Sequence, residues 1–178
     1  MDLLGQLRTR LHEQLLRKKM PAAQVERKAV SLKNAKSIGL MFDATLIEER
    51  EAVLKFAKTL KTNDHKVKLL GFFNKKLESD SFPFPHFDKK KLDFALRPKT
   101  AEIEEFTAHP FDLLINISKR PTLPLDYIAA HSKAKFRVGP FTENTFCYDL
   151  LIEHDGKKGL DSFIAQLTHY LGKIGVAA

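Results

Sequence analysis

Two short groups of polar side chains stand where apolar runs stop, and both suit an oxygen-rich ligand. Asp43 and Thr45 end or follow "SIGLMFD"; Asn116, Ser118, Lys119 and Arg120 end or follow "FDLLINIS". Ser118 can donate a hydrogen bond to a phosphate or sugar oxygen. Lys119 or Arg120 can neutralise an anion, and a guanidinium can do so through two parallel N–H bonds. Asp43 can accept from a ribose hydroxyl or a cationic group. In open parallel sheets, ligands sit beyond the carboxyl ends of the strands. If the two apolar runs are neighbouring strands, these six residues line one crevice. Each also has a local use. Thr45 with Glu48 fits a helix capping box, and Asp43 fits a turn. Asn116 fits the backbone bonding common for short polar side chains, and Lys119 and Arg120 fit an exposed loop.

Other familiar chemistries lack their motifs. "FDATLIEE" stands after the first apolar run where a dinucleotide fold would carry G-x-G-x-x-G. Neither G-x-x-x-x-G-K-[ST] nor G-x-S-x-G occurs, which disfavours a P-loop NTPase and the familiar hydrolase elbow. The seven histidines are scattered without H-E-x-x-H, and one cysteine cannot build a cysteine-rich zinc site. "EHDG", Glu153 to Gly156, brings three metal-ligating types together but reads as a polar turn. Cys147 lies in the apolar run "FCYDLLI", read as a strand, with no adjacent cation to lower its pKa; it reads as a small hydrophobe. The residues name no catalytic group, no metal and no cofactor.

Charge is uneven. Residues 1–36 carry nine Lys and Arg against three Asp and Glu, whereas the rest carries 21 against 19. A basic start of this kind attracts nucleic acid or an anionic surface; it equally serves as a solvated helix face. Phe82, Phe84 and Phe87 stand near Lys89, Lys90 and Lys91, so base stacking there competes with covering a sheet edge. The single cysteine fits a reducing compartment. No apolar run reaches transmembrane length, and the start lacks the core and cleavage site of a secretory signal. The reading is a cytoplasmic protein.

The elements that must hold these groups follow from periodicity. Leu4, Leu7, Leu11 and Leu15 form a helical stripe, widened by Leu3 and Leu16. The stripe suits packing on the body or homodimerisation through this helix. Pro21 is expected to end it, and a second short helix is expected over Ala22–Leu32. Strands are expected over Ser37–Asp43 and Lys66–Phe73, with a helix between them whose inward face is Val53, Leu54, Phe56, Ala57 and Leu60. The middle, with Pro83, Pro85 and Pro98, suits an edge cover, with a short strand at Leu92–Leu96 and a helix capped by Thr100. Strands follow at Phe111–Ile117, Lys135–Val138 (stopped by Gly139-Pro140) and Phe146–Ile152. Helices are expected over Pro124–His131 and Asp161–Ile174, with Gly175 as C-cap. This is a three-layer α/β fold, Rossmann-like or flavodoxin-like, with a largely parallel sheet. Residues 1–36 form a basic helical extension, and 37–178 a single domain.

"FDLLINIS", "PLDYIAAHSKAKFRVGP" and "YDLLIEHDGKKGLDSFIAQLTHYL" together resemble a family of uncharacterised α/β proteins from Bacteroidetes. The resemblance covers most of the chain and implies a bacterial cytoplasmic protein without assigned activity. Phe111 to Pro140 also looks like part of the N-terminal domain of heptosyltransferase-type glycosyltransferases. Those enzymes hold their nucleotide-sugar donor with a second domain, for which this chain is too short. Three functions follow as expectations. The first is a non-catalytic binding or interaction protein with a phosphate-bearing ligand at the strand ends. The second is a small enzyme acting on a phosphorylated or nucleotide-linked substrate. The third is a nucleic-acid-associated protein using the basic start.

Overall fold

The computed structural model describes residues 3–18, 25–78 and 81–175. Six strands form one sheet: β1 (Ser37–Asp43), β2 (Lys66–Phe73), β3 (His86–Asp88), β4 (Leu113–Ile117), β5 (Phe136–Pro140) and β6 (Leu150–Ile152). The helices are α1 (Leu3–Lys18), α2 (Ile47–Thr62), α3 (Ala101–Ala108), α4 (Leu123–His131) and α5 (Leu160–Lys173). The strand order is β3-β2-β1-β4-β5-β6, and every pair is parallel. This is the Rossmann order and not the flavodoxin one. The direction of winding reverses between β1 and β4, which pair directly from Ile38↔Leu113 to Phe42↔Ile117.

The central strands are apolar throughout because both faces are covered. One core joins inner β-strand residues to Val53, Phe56 and Leu60 of α2 and to Phe163, Leu167 and Leu171 of α5. The other joins Met41, Leu70 and Leu114 to Leu16 of α1, Ile103 and Phe106 of α3, and Leu125 and Ile128 of α4. Thr100 caps α3, its hydroxyl accepting from the N–H of Ile103, and Gly175 adopts φ +77° after α5.

Several expectations are corrected. Among the described residues the second helix is absent: residues 25–32 are irregular, and Ala22–Gln24, like Pro21, lie outside the described residues. The backbone bonds of this stretch run to distant parts, Lys28 N–H to Lys135 O and Leu32 N–H to Leu171 O. Leu92–Leu96 is not a strand; Leu92 and Pro98 make an isolated antiparallel bridge around a tight turn. The third strand is instead His86–Asp88, an edge position where prolines on its approach cost no ladder bond. Gly139 and Pro140 do not stop β5 but pair with Leu151 and Ile152, beyond the reach of β4. Phe146–Ile152 is not one strand. Thr145–Cys147 forms a 3₁₀ turn, and pairing begins at Leu150. Phe84 and Phe87 are buried, and Phe82 packs among Phe73, Phe84 and His86. These rings pack on and around the sheet edge.

The leucine stripe of α1 divides. His12 and Leu16 are buried, while Leu3, Leu4 and Leu7 are exposed. The helix is held on its polar side: Arg8 Nε donates to Phe94 O at 2.9 Å, and His12 Nδ1 bonds Ala95 O at 2.8 Å. Among the described residues, no helix is long and apolar enough to cross a membrane.

Candidate functional site

Because all six strands are parallel, their carboxyl ends open on one side. β1 ends in Asp43, and β4 is followed by Ser118, Lys119 and Arg120. Their direct pairing places both turns at the reversal point, where the diverging crossovers leave a gap above the sheet. A crevice of about 400 Å³ lies there, lined by Asp43, Thr45, Glu49, Asn74, Ser118, Lys119 and Arg120, with Leu46 and Gly156. Five of the six expected residues therefore meet. Asn116, the sixth, is wholly buried behind them.

Hydrogen bonds fix the turn after β1. Asp43 Oδ1 accepts from both the N–H and the hydroxyl of Thr45, the former at 2.9 Å. The Thr45 hydroxyl oxygen accepts from Asn74 N–H at 2.9 Å. Thr45 is therefore not the cap of α2. That position belongs to Leu46, which offers no side-chain acceptor, and Glu48 and Glu49 supply the negative charge of the first turn. Glu49 pairs with Lys119 at 3.0 Å. Asp43 and Glu49 balance Lys119 and Arg120, and Arg120 is the exposed cation of the four, with no ion pair among the described residues.

Ser118 is oriented from behind. The Asp43 N–H donates to Ser118 Oγ (3.0 Å), and Ser118 donates to Asn116 Oδ1 (2.8 Å). Asn116 Nδ2 donates to the Tyr148 hydroxyl (2.7 Å), and Tyr148 donates to Asp126 Oδ1 (2.8 Å). Thr142 donates to Asp126 Oδ2 at 3.1 Å. Every bond in this chain points toward one buried carboxylate. Burial pushes the Asp126 carboxyl up to about 6, against the opposing pull of its bonds from Tyr148 and Thr142. Burial also raises Tyr148 well above the usual phenol range, and the Cys147 thiol to about 12. The cysteine is thus an uncharged core group at neutral pH. No three His, Cys, Asp or Glu residues among those described form a metal-holding group.

Sequence reasoning missed Glu49, Asn74 and the Tyr148–Asp126 support. Asn74 follows a recognisable strand, but only the strand order puts it beside Thr45. Glu49 falls on the capping side of an amphipathic helix and looks like ordinary dipole compensation. Tyr148 and Asp126 come from different elements and carry no common motif.

A family model matches residues 8–174, from the second turn of α1 to the end of α5. The chain belongs to DUF6913, a family of unknown function. No curated protein and no solved structure matches it. The DUF6913 match spans both turns of the crevice and the buried chain behind it, so the site lies wholly within the family's extent. Membership supplies no activity for the crevice, whose chemistry rests on its residues.

Proposed function

We propose that this DUF6913 protein binds a small hydroxyl-bearing phosphate ester, such as a sugar phosphate or nucleotide, in the strand-end crevice. The observation that carries the reading is the meeting of Asp43, Ser118 and Arg120 around one cavity at the winding reversal of a Rossmann-ordered sheet. The charge pattern sets the roles. Lys119 is engaged by Glu49, so Arg120 takes the phosphate. Asp43 and Glu49 accept from hydroxyls. The first turn of α2 already carries two carboxylates, so the phosphate sits on the Arg120 side and not on the α2 terminus. Ser118 gives its one proton inward to Asn116 and accepts from the Asp43 N–H in the free protein; it serves the ligand by holding the Asp43 turn in shape.

The test is thermal unfolding with ribose 5-phosphate, nucleoside monophosphates and nucleotide-sugars, since ligand that binds only the folded state raises its stability. A saturable rise is expected with at least one of them. Arg120→Ala should weaken that ligand by roughly tenfold, the worth of one charged hydrogen bond, with unchanged unfolding of the free protein. No rise with any phosphate ester, or equal binding by the variant, overturns the reading.

A further inference from the structure

A second cavity shares Asn74 with the crevice and differs from it in charge. It encloses about 600 Å³, within the range of small-molecule pockets. Its walls come from α1, from the turns after β2 and β3, and from the start of α4. Three cations line it, Arg8, Lys76 and Lys89, and no acidic residue does. Neither lysine makes an ion pair among the described residues. Arg8 is pre-placed, its Nε on Phe94 O and its guanidinium 5.7 Å from the Phe94 ring centre. Apart from Asn74 and Thr122 the rest of the lining is apolar, with Phe72, Leu92 and Leu96.

Two local oddities fall on the same cavity. Leu96 holds φ +59°, a left-handed conformation that bulky residues avoid and that over-determined structure maintains at ligand sites. It is locked by Leu96 N–H to Asp93 O and by Arg97 N–H to Asp93 Oδ1. The Thr122 hydroxyl, at the start of α4, is buried without a hydrogen-bond partner. A buried hydroxyl ordinarily finds one.

We propose that this cavity binds a small amphiphilic anion, a phosphate ester of a compact apolar alcohol. Its phosphate lies among Arg8, Lys76 and Lys89, and its apolar part against Phe72, Leu92 and Leu96. Three cations without an acidic residue in the lining favour an anion, and the apolar part of the lining disfavours a fully hydrated one. The site is independent of the strand-end reading, whose crevice is charge-balanced and polar.

The experiment is calorimetric titration of the full chain with octyl phosphate below its aggregation concentration, beside inorganic phosphate and octanol. Octyl phosphate should bind saturably with one site, at least tenfold tighter than inorganic phosphate, and weaken as salt rises. Lys76→Glu with Lys89→Glu should weaken it at least tenfold; both residues are exposed, and the unfolding temperature should hold. Leu96→Gly, which relieves the backbone and removes an apolar wall, should also weaken it. Arg120→Ala should leave it unchanged, which separates this site from the crevice. Absence of binding, binding indifferent to the lysine pair, or sedimentation with phosphatidic acid vesicles without binding of monomeric octyl phosphate would each overturn the proposal.

Discussion

Asp126 holds its carboxyl where charge is costly, and that cost is measurable. Its folded pKa of about 6 lies above the ordinary value of 3.8. The folded state therefore takes up a proton that the unfolded chain releases. The stabilising contribution is complete below about pH 4 and is lost as pH rises through 6, amounting to about 3 kcal/mol. His12 acts with the opposite sign, since burial lowers its pKa and its protonation opposes folding as pH falls. Comparison with Asp126→Asn cancels such terms. The stability of the natural protein minus that of the variant should fall by roughly 2.5 kcal/mol between pH 4 and 7, read from denaturant unfolding at each pH. A flat difference would mean that the carboxylate is better compensated than its neighbours Tyr148 and Thr142 allow. At this scale Asp43, Ser118, Lys119 and Arg120 were legible in the sequence, because polar residues directly after apolar runs mark strand ends. Asn116 was legible as a polar residue in a buried strand, but its partner Tyr148, 32 residues away, was not.

Elements follow the same division between local and distant causes. β1 and β2 have the bounds their apolar runs suggest; α4 and α5 follow from helical spacing and end signals, and α2 from spacing alone, since Leu46 and not Thr45 caps it. β3 is three residues long, too short for periodicity to reveal, and exists because β2 offers it an open edge. β6 begins at Leu150, directly after Asp149, which is bound to the neighbouring strand β5. Arg137 on β5 meets it with Nε and Nη2 at 3.0 and 2.8 Å, and the Arg137 N–H donates to it as well. The arginine side chain is only 6% exposed, so removal of its partner strands a buried cation. Asp149→Ala should cost about 3 kcal/mol in chemical unfolding. Loss of the exposed Lys68–Glu105 pair, at 3.3 Å, should cost well under 1 kcal/mol. Equal costs would show that the β5–β6 clamp contributes no more than a surface contact.

For the whole molecule, the decisive property is order. A parallel sheet with crossovers was expected from alternating strands and helices, but adjacency of β1 and β4 depends on which faces the helices cover, a matter of the complete fold. That adjacency joins two distant turns into one crevice, and the pairing of β1 with β2 puts Asn74 between it and the second cavity. It is the reason a protein without a dinucleotide or P-loop motif still has a crevice at its strand ends. The most direct measurement of the central claim is therefore a map of backbone amide shifts on titration with the phosphate ester that stabilises the fold most. Saturable changes should concentrate at Asp43–Thr45, Asn74, Ser118–Arg120 and Gly156, and should weaken in Arg120→Ala. Changes centred elsewhere on the sheet, with these amides still, would contradict a ligand at the winding reversal.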